Sequence, residues 1–385
     1  MFAFAAETAY AGFMVSYKSL GYNNLFKMSR QLDILALEPF FGGVRRIMLD
    51  KLIHHSRHRW TLLKLPPRRI ERRLSAAAHW FAEQLSRHWV GRVDVLFTSE
   101  ALNLSDLLRF TPQLRTKPSI VYFHSNQLPY AMNENDSPLD LVNLNTASAA
   151  SEIWFNSLFH LRVFMAKAQA MVHRHSELSS RDPMSTLQGK SVVMYPPIAS
   201  DAWAGVTDGT PIKRDRRTIF MDTRDADLEL LNSALAIVKR RGEPFTLITV
   251  GPVEQLSSEL PRTTIPESDD LAQLRGLLQA SVFLSGKIGA VCDHHAVRAL
   301  QARCWPLVPR IGVYHELLPE SLHKSCMYDE QADEIAGRIQ DAFFLDRPTG
   351  YDVELMHLLA KFDPVKACAL MDDRLEHVAN SAKRG

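Results

Sequence analysis

Short apolar runs alternate along this chain with longer stretches whose apolar positions recur every three to four residues, and the alternation is laid down twice. Runs that are apolar throughout belong to strands buried on both faces. The amphipathic stretches between them supply covering helices, so the pattern specifies an α/β protein built on parallel, doubly wound sheets. In the first set, LDILALE (32–38), WTLLKL (60–65), DVLFTS (94–99), SIVYFH (119–124) and EIWFNS (152–157) read as strands, with helices over 44–55 and 68–89. Ile70, Leu74, Ala77, Phe81 and Leu85 mark the face of the second helix that would lie on a sheet. A stretch rich in Pro, Gly and charge over 179–217 reads as a crossover. TIFMDT (218–223), FTLITVG (245–251), SVFLSG (281–286) and CWPLVP (304–309) then form a second set of strands, with helices over 227–241, 271–279, 293–301 and 332–344. The closing stretch, 351–382, is helical and amphipathic.

At 385 residues the chain exceeds one typical core and suits two. The expected division is a poorly ordered leader over 1–31, a first domain over 32–200, a linker over 201–217, a second domain over 218–348 and a helical segment over 349–385. Lys and Arg total 45 against 43 Asp and Glu, so no global field draws the chain to nucleic acid or membrane, and any polyanion site has to be local. Cys292, Cys304, Cys326 and Cys368 form no C-x-x-C pair and no zinc-knuckle spacing, and read as reduced cytosolic thiols. The apolar leader carries Glu7, lacks a cationic start and is too short for a membrane span. No signal peptide or anchor is expected, Met28 is a candidate start, and a cytoplasmic location follows.

The chemistry-bearing residues gather at strand ends. Gly42 and Gly43 follow the first strand and open a helix, where backbone N–H groups and the helix dipole suit a phosphate, although a plain βα turn has the same look. His124 ends the strand SIVYF, with Asn126 and Gln127 beside it; the alternative is a histidine satisfied within its loop. Glu100 and Asn103 follow DVLFTS, where a carboxylate suits an acceptor hydroxyl and an N-cap is the competing role. Asn143 lies on a helix leading to FNS. From Arg45 to Arg73 ten basic residues face two acidic ones, and Arg57, Arg59, Arg68, Arg69, Arg72 and Arg73 are candidates for nucleic-acid contact or for a solvated charged face. Arg68, Arg69, Arg72 and Arg73 are expected in the first turns of a helix, where cations oppose the dipole. His54 with His58, and the run Cys292 to His295, lack the partners of a metal site. No Walker loop, nucleophile elbow or long dinucleotide fingerprint is present.

Four strings stand in order: EPFFGG (38–43), DVLFTSEALNLSDLL (94–108), YFHSNQLPY (122–130) and FNSLFH (155–160). Together they resemble the tRNA-queuosine α-mannosyltransferase family of GT-B glycosyltransferases, whose two Rossmann-like domains face a cleft. ARCWPLVPRIGVYHELLP (302–319) is similar to that family's final donor-domain stretch. The resemblance implies retaining transfer of mannose from GDP-mannose to queuosine in a tRNA. It also implies an acceptor-side N-terminal domain, a nucleotide-side C-terminal domain, and no metal or cofactor beyond the nucleotide-sugar substrate. His124 is implied as the catalytic residue, Gly42, Gly43 and Arg224 on the donor side, and Glu100, Asn103, Asn126, Gln127 and Asn143 along the cleft.

The chain also departs from the family. Ser125 replaces an acidic residue, and the two donor-site glutamates fall at Ala290 and Arg298. Arg224 remains as the expected diphosphate cation, with no lysine identified beside it. Losing a charged acceptor leaves donor hydroxyls unpaired at about 1–3 kcal/mol each. Three readings therefore stand: a tRNA-queuosine hexosyltransferase, a silent relative that binds tRNA or a protein, and a glycosyltransferase for another donor and a glycan acceptor, with Arg298 meeting an anionic donor group.

Overall fold

The computed structural model describes residues 30–125, 138–174, 183–198, 212–345 and 351–382. Residues 1–29 of the expected leader, together with Asn126 and Gln127, fall outside the described residues.

The first half contains β1 (Asp33–Glu38), α1 (Gly43–His55), β2 (Arg59–Lys64), α2 (Ile70–Arg87), β3 (Val95–Ser99), α3 (Leu104–Phe110), β4 (Ser119–Phe123), α4 (Pro138–Ala149), β5 (Glu152–Phe155), α5 (Leu158–Arg174), α6 (Pro183–Gly189) and β6 (Ser191–Val193). Its strands pair in the order β2-β1-β3-β4-β5-β6. Every pairing is parallel, with Ile34 opposite both Trp60 and Val95. The central strands β3, β4 and β5 are buried at every position, as an apolar run covered on both faces must be.

The second half contains β7 (Asp215–Asp222), α7 (Leu228–Arg240), β8 (Thr246–Val250), β9 (Arg262–Ile265), α8 (Asp270–Gln279), β10 (Ala280–Ser285), α9 (His294–Gln301), β11 (Trp305–Pro309), α10 (Tyr314–Leu317), α11 (Glu320–Cys326), β12 (Met327–Tyr328) and α12 (Ala332–Phe344). These strands are also all parallel, in the order β12-β11-β10-β7-β8-β9. α7, α8 and α9 each start at an aspartate cap. Asp227 accepts from the Leu230 N–H and opens α7, whose Leu228, Leu231, Ala234, Leu235 and Val238 all turn inward.

β6, β9 and β12 escape the sequence pattern. They are short edge strands, and β9 is half exposed and polar, so no continuous apolar run marks them. β7 begins at Asp215, inside the expected linker, because its first three residues are not buried and only Thr218 onward reads as core. Helix α2 starts at Ile70, later than expected. Arg68 and Arg69 precede it, and Arg69 adopts φ 51°, a left-handed conformation that cannot continue a helix.

The closing segment forms α13 (Tyr351–Leu359) and α14 (Pro364–Ser381). Asp363 caps α14 by accepting from the Lys366 N–H, and Pro364 occupies the first turn, where its missing N–H is harmless. α14 returns to the first half: Cys368, Met371, Leu375 and Val378 join Ile34, Met48, Phe97 and Trp154 in one core. Buried Asp372 accepts from Ser56 Oγ at 2.6 Å and the Arg57 N–H at 2.8 Å, and Arg374 Nε donates to Glu152 at 2.7 Å. Leu375→Ala should therefore destabilise the N-terminal sheet by about 2–5 kcal/mol, read by denaturation followed through buried Trp154. An unchanged transition would refute this packing.

Candidate functional site

In an open parallel sheet, ligands enter at the carboxyl ends of strands where the winding reverses. The first sheet reverses between β1 and β3 and the second between β7 and β10.

At the first reversal, Glu38 ends β1, Glu100 follows β3 and His124 follows β4. Glu100 is buried, and its carboxylate accepts from the Arg45 guanidinium, from the His124 and Ser125 N–H groups at 3.1 Å each, and from Ser125 Oγ at 3.0 Å. Asn143 Nδ2 donates to the Glu100 carbonyl at 3.1 Å, so side chain and backbone are both fixed. Glu38 accepts from the Phe40 N–H at 2.8 Å. Burial pushes its carboxyl up to about 7, against the pull of the Arg45 charge. Burial, with the nearby charges of Arg45 and His294, holds His124 well below the ordinary histidine range, so its imidazole is neutral at pH 7.

The two glycines act differently. A Cβ on Gly42 would lie 2.5 Å from Pro67 Cγ, whereas Gly43 has φ +52° and open space where a side chain would stand. Gly42 gives α1 no side-chain cap, leaving its N–H groups open to another acceptor. Asn103 caps α3, accepting from the Asp106 N–H at 3.2 Å, so its described partners are those of a helix cap.

The string FNSLFH contributes more than the sequence revealed. Asn156 Nδ2 donates to the His124 carbonyl at 2.8 Å, and its oxygen meets His160 Nδ1 at 2.8 Å. Burial lowers His160 to about 3, making it a neutral brace set against Phe123 and Phe155. Ser157 Oγ donates to the Val291 carbonyl of the second half at 2.7 Å. Glu316 of α10 accepts from the Leu158 and Phe159 N–H groups that open α5, and from Tyr195 Oη.

At the second reversal, Asp222 ends β7 and accepts from Arg224 Nε at 2.8 Å and Lys287 Nζ at 2.5 Å, while His295 Nδ1 stands 2.8 Å away. Burial raises the Asp222 carboxyl, but hydrogen bonds from His295 and Arg224 outweigh it and hold the group well below the carboxylate range. Asp293 caps α9, accepting from the His295 and Ala296 N–H groups and from Ser285 Oγ and Tyr314 Oη. Arg224, expected to face a diphosphate, is thus paired with Asp222. Lys287, which the sequence did not single out, follows β10 and is the second cation of this cluster. Arg298 is buried and donates to Asp270 at 2.6 Å.

The basic strip also divides. Arg57 is paired with Asp373 and Glu376 and Arg59 with Asp33, so both hold the protein together. These partners lie on α14 and β1. Arg68, Arg69 and Arg72 are exposed, and Arg73 reaches the Pro66 carbonyl at 3.4 Å. Beside them an open pocket of about 530 Å³ is lined by Phe41, Arg46, Asp50, Lys64, Leu65, Pro66 and Pro67, and not by Glu38, Glu100 or His124. His54 is exposed and His58 buried, so they share no metal site. Among the described residues no helix is long and apolar enough to cross a membrane.

Residues 33–198 match the family model of the tRNA-queuosine alpha-mannosyltransferase N-terminal domain. A tRNA-queuosine alpha-mannosyltransferase of Drosophila melanogaster is 26% identical over 317 residues, covering 74% of this chain and 82% of that protein. The chain is thus similar to the tRNA-queuosine alpha-mannosyltransferases, most clearly through its N-terminal half. Its fold is that of the GT-B glycosyltransferases. A glycosyltransferase from Rickettsia africae ESF-5 superposes with TM-score 0.60 at 11% identity, covering 90% of this chain and 98% of that one. The catalytic domain of starch synthase IV from Arabidopsis thaliana, bound to ADP and acarbose, gives TM-score 0.60 at 9% identity, covering 92% and 99%. Glu38, Glu100, His124, Asn143 and Asn156 all lie within the segment shared with the mannosyltransferase N-terminal domain.

Glu38 yields a pH test. Its folded value of about 7 stands above the ordinary 4.5, so the folded state binds the extra proton, and stability is lost as pH rises from 4.5 through 7. Glu38→Gln should abolish this loss, gaining roughly 3 kcal/mol on the parent above pH 7. Parallel Tm profiles of the two proteins would refute the assignment.

Proposed function

We propose that this glycosyltransferase-like chain acts on queuosine in tRNA, with the N-terminal switch point receiving the queuosine nucleotide and hexose transfer, mannose from GDP-mannose, as its reaction. The observation that carries the reading is the preorganised cluster of Glu100, Arg45, His124 and Asn143, lying inside the segment shared with the mannosyltransferases. In it, Glu100 fixes the backbone after β4, neutral His124 presents an imidazole able to accept a hydrogen bond from an acceptor hydroxyl, and Gly42 and Gly43 let a donor phosphate approach the start of α1. The exposed Arg68, Arg69 and Arg72, with half-buried Arg73 beside them, supply cations for the tRNA backbone, giving affinity and orientation without sequence readout.

A second reading is favoured by one specific observation, the absence of both donor-site carboxylates at Ala290 and Arg298: a relative that binds queuosine tRNA and transfers nothing. One assay separates the two. Incubation with GDP-mannose and queuosine-containing tRNA should add one hexose to the queuosine nucleoside, detected by mass spectrometry. Bound tRNA with no product at millimolar donor would select the silent relative, and failure to bind queuosine tRNA would sink both readings. Replacing Arg68, Arg69, Arg72 and Arg73 with Ala should weaken tRNA binding and flatten the slope of log affinity against log salt by about 1 for each phosphate no longer neutralised. An unchanged slope would remove the strip from the interface.

A further inference from the structure

The second switch point is built like an anion site already filled from within. Three features there suit the phosphates of a nucleotide: the N-terminus of α9, the Arg224 guanidinium and the Lys287 ammonium. Each already has a carboxylate of this chain against it. Asp293 takes the His295 and Ala296 N–H groups at 3.1 Å each, in the position a phosphate oxygen would hold. Asp222 takes Arg224 through two nitrogens, at 2.8 and 2.9 Å, and Lys287 at 2.5 Å. Lys287 also stands 3.9 Å from Asp293, and Glu267 lies 3.5 Å from a third nitrogen of Arg224. Asp222 and Asp293 are 0% and 1% exposed, so solvent does little to screen them from a group bound beside them.

Three carboxylates therefore surround two cations, and a diphosphate entering this cluster meets net repulsion and finds the His295 and Ala296 N–H groups already taken. We infer that Asp222 and Asp293 are specificity-determining residues that turn the C-terminal switch point against nucleoside diphosphates, leaving it with weak affinity for them. The inference deepens the proposed function, because it rests on reading this switch point as the donor side. It holds whether transfer is slow at high donor concentration or has been lost.

Titration calorimetry on the full chain with GDP and with UDP tests it. The parent should bind both no tighter than the millimolar range. Asp293→Asn keeps a good helix cap while removing the charge, and Asp222→Asn is isosteric; each should tighten binding of at least one nucleotide by about tenfold or more. Adding Lys287→Ala to Asp293→Asn should erase the gain. Micromolar binding by the parent, or no gain in either variant, overturns the inference. If circular dichroism shows that Asp222→Asn does not fold, Asp293→Asn decides alone. Queuosine-tRNA binding by the same preparations is scored separately: its loss overturns the proposed function, while the GDP and UDP titrations alone decide the role of the two aspartates.

Discussion

Whatever the cleft does depends on two sheets facing one another, and the carboxylate of Glu316 joins them. It leaves the second half to receive the first two N–H groups of α5, the positive end of a helix from the first half, and Tyr195 closes the same oxygen. The Glu316 carbonyl in turn accepts from Lys361 at 2.8 Å, so the residue that bridges the halves is held at both ends. Just before α5 in sequence, Asn156 supports the backbone of His124 and Ser157 touches Val291. A single tight bend thus carries both the brace of the N-terminal cluster and the link to the opposite wall.

The two switch points solve the same electrostatic problem in different ways. Strand ends in a doubly wound sheet are recessed, so a carboxylate placed there loses water and must find donors or keep its proton. Glu100 finds donors in Arg45 and two backbone N–H groups, while its neighbour Glu38, with fewer, holds its proton toward neutrality. Asp222 has two cations and a histidine and stays ionised. The N-terminal cluster keeps a neutral imidazole and an uncapped helix within reach of a ligand, whereas the C-terminal cluster closes on itself.

Much of this was legible in the sequence. Apolar runs marked the central strands because those strands are buried on both faces, and the ordered strings around Gly42, Glu100, His124 and Asn156 marked the first cluster. What stayed hidden were partners far apart in the chain. Arg57 looks like a free cation until α14 brings Asp373 and Glu376 to it, some three hundred residues on. The pattern of α14 shows that one face is apolar but not which surface it meets. Asp293 reads as an ordinary helix cap, and only the convergence of β7 and β10 reveals that its cap, Lys287 and Asp222 form one charge network.

The return of α14 has a consequence for how the chain is made. The N-terminal sheet is complete in sequence by β6, yet one of its faces has only part of its cover, from α1, until residues 364–381 have been synthesised. On the ribosome that half emerges early with apolar side chains of β1, β3 and β5 still facing water, while the second half folds behind it. Completion of the first domain therefore waits for α14, after the second half has been synthesised. A chain that stops short of α14 would be a substrate for chaperones and proteases before it could serve as a cleft.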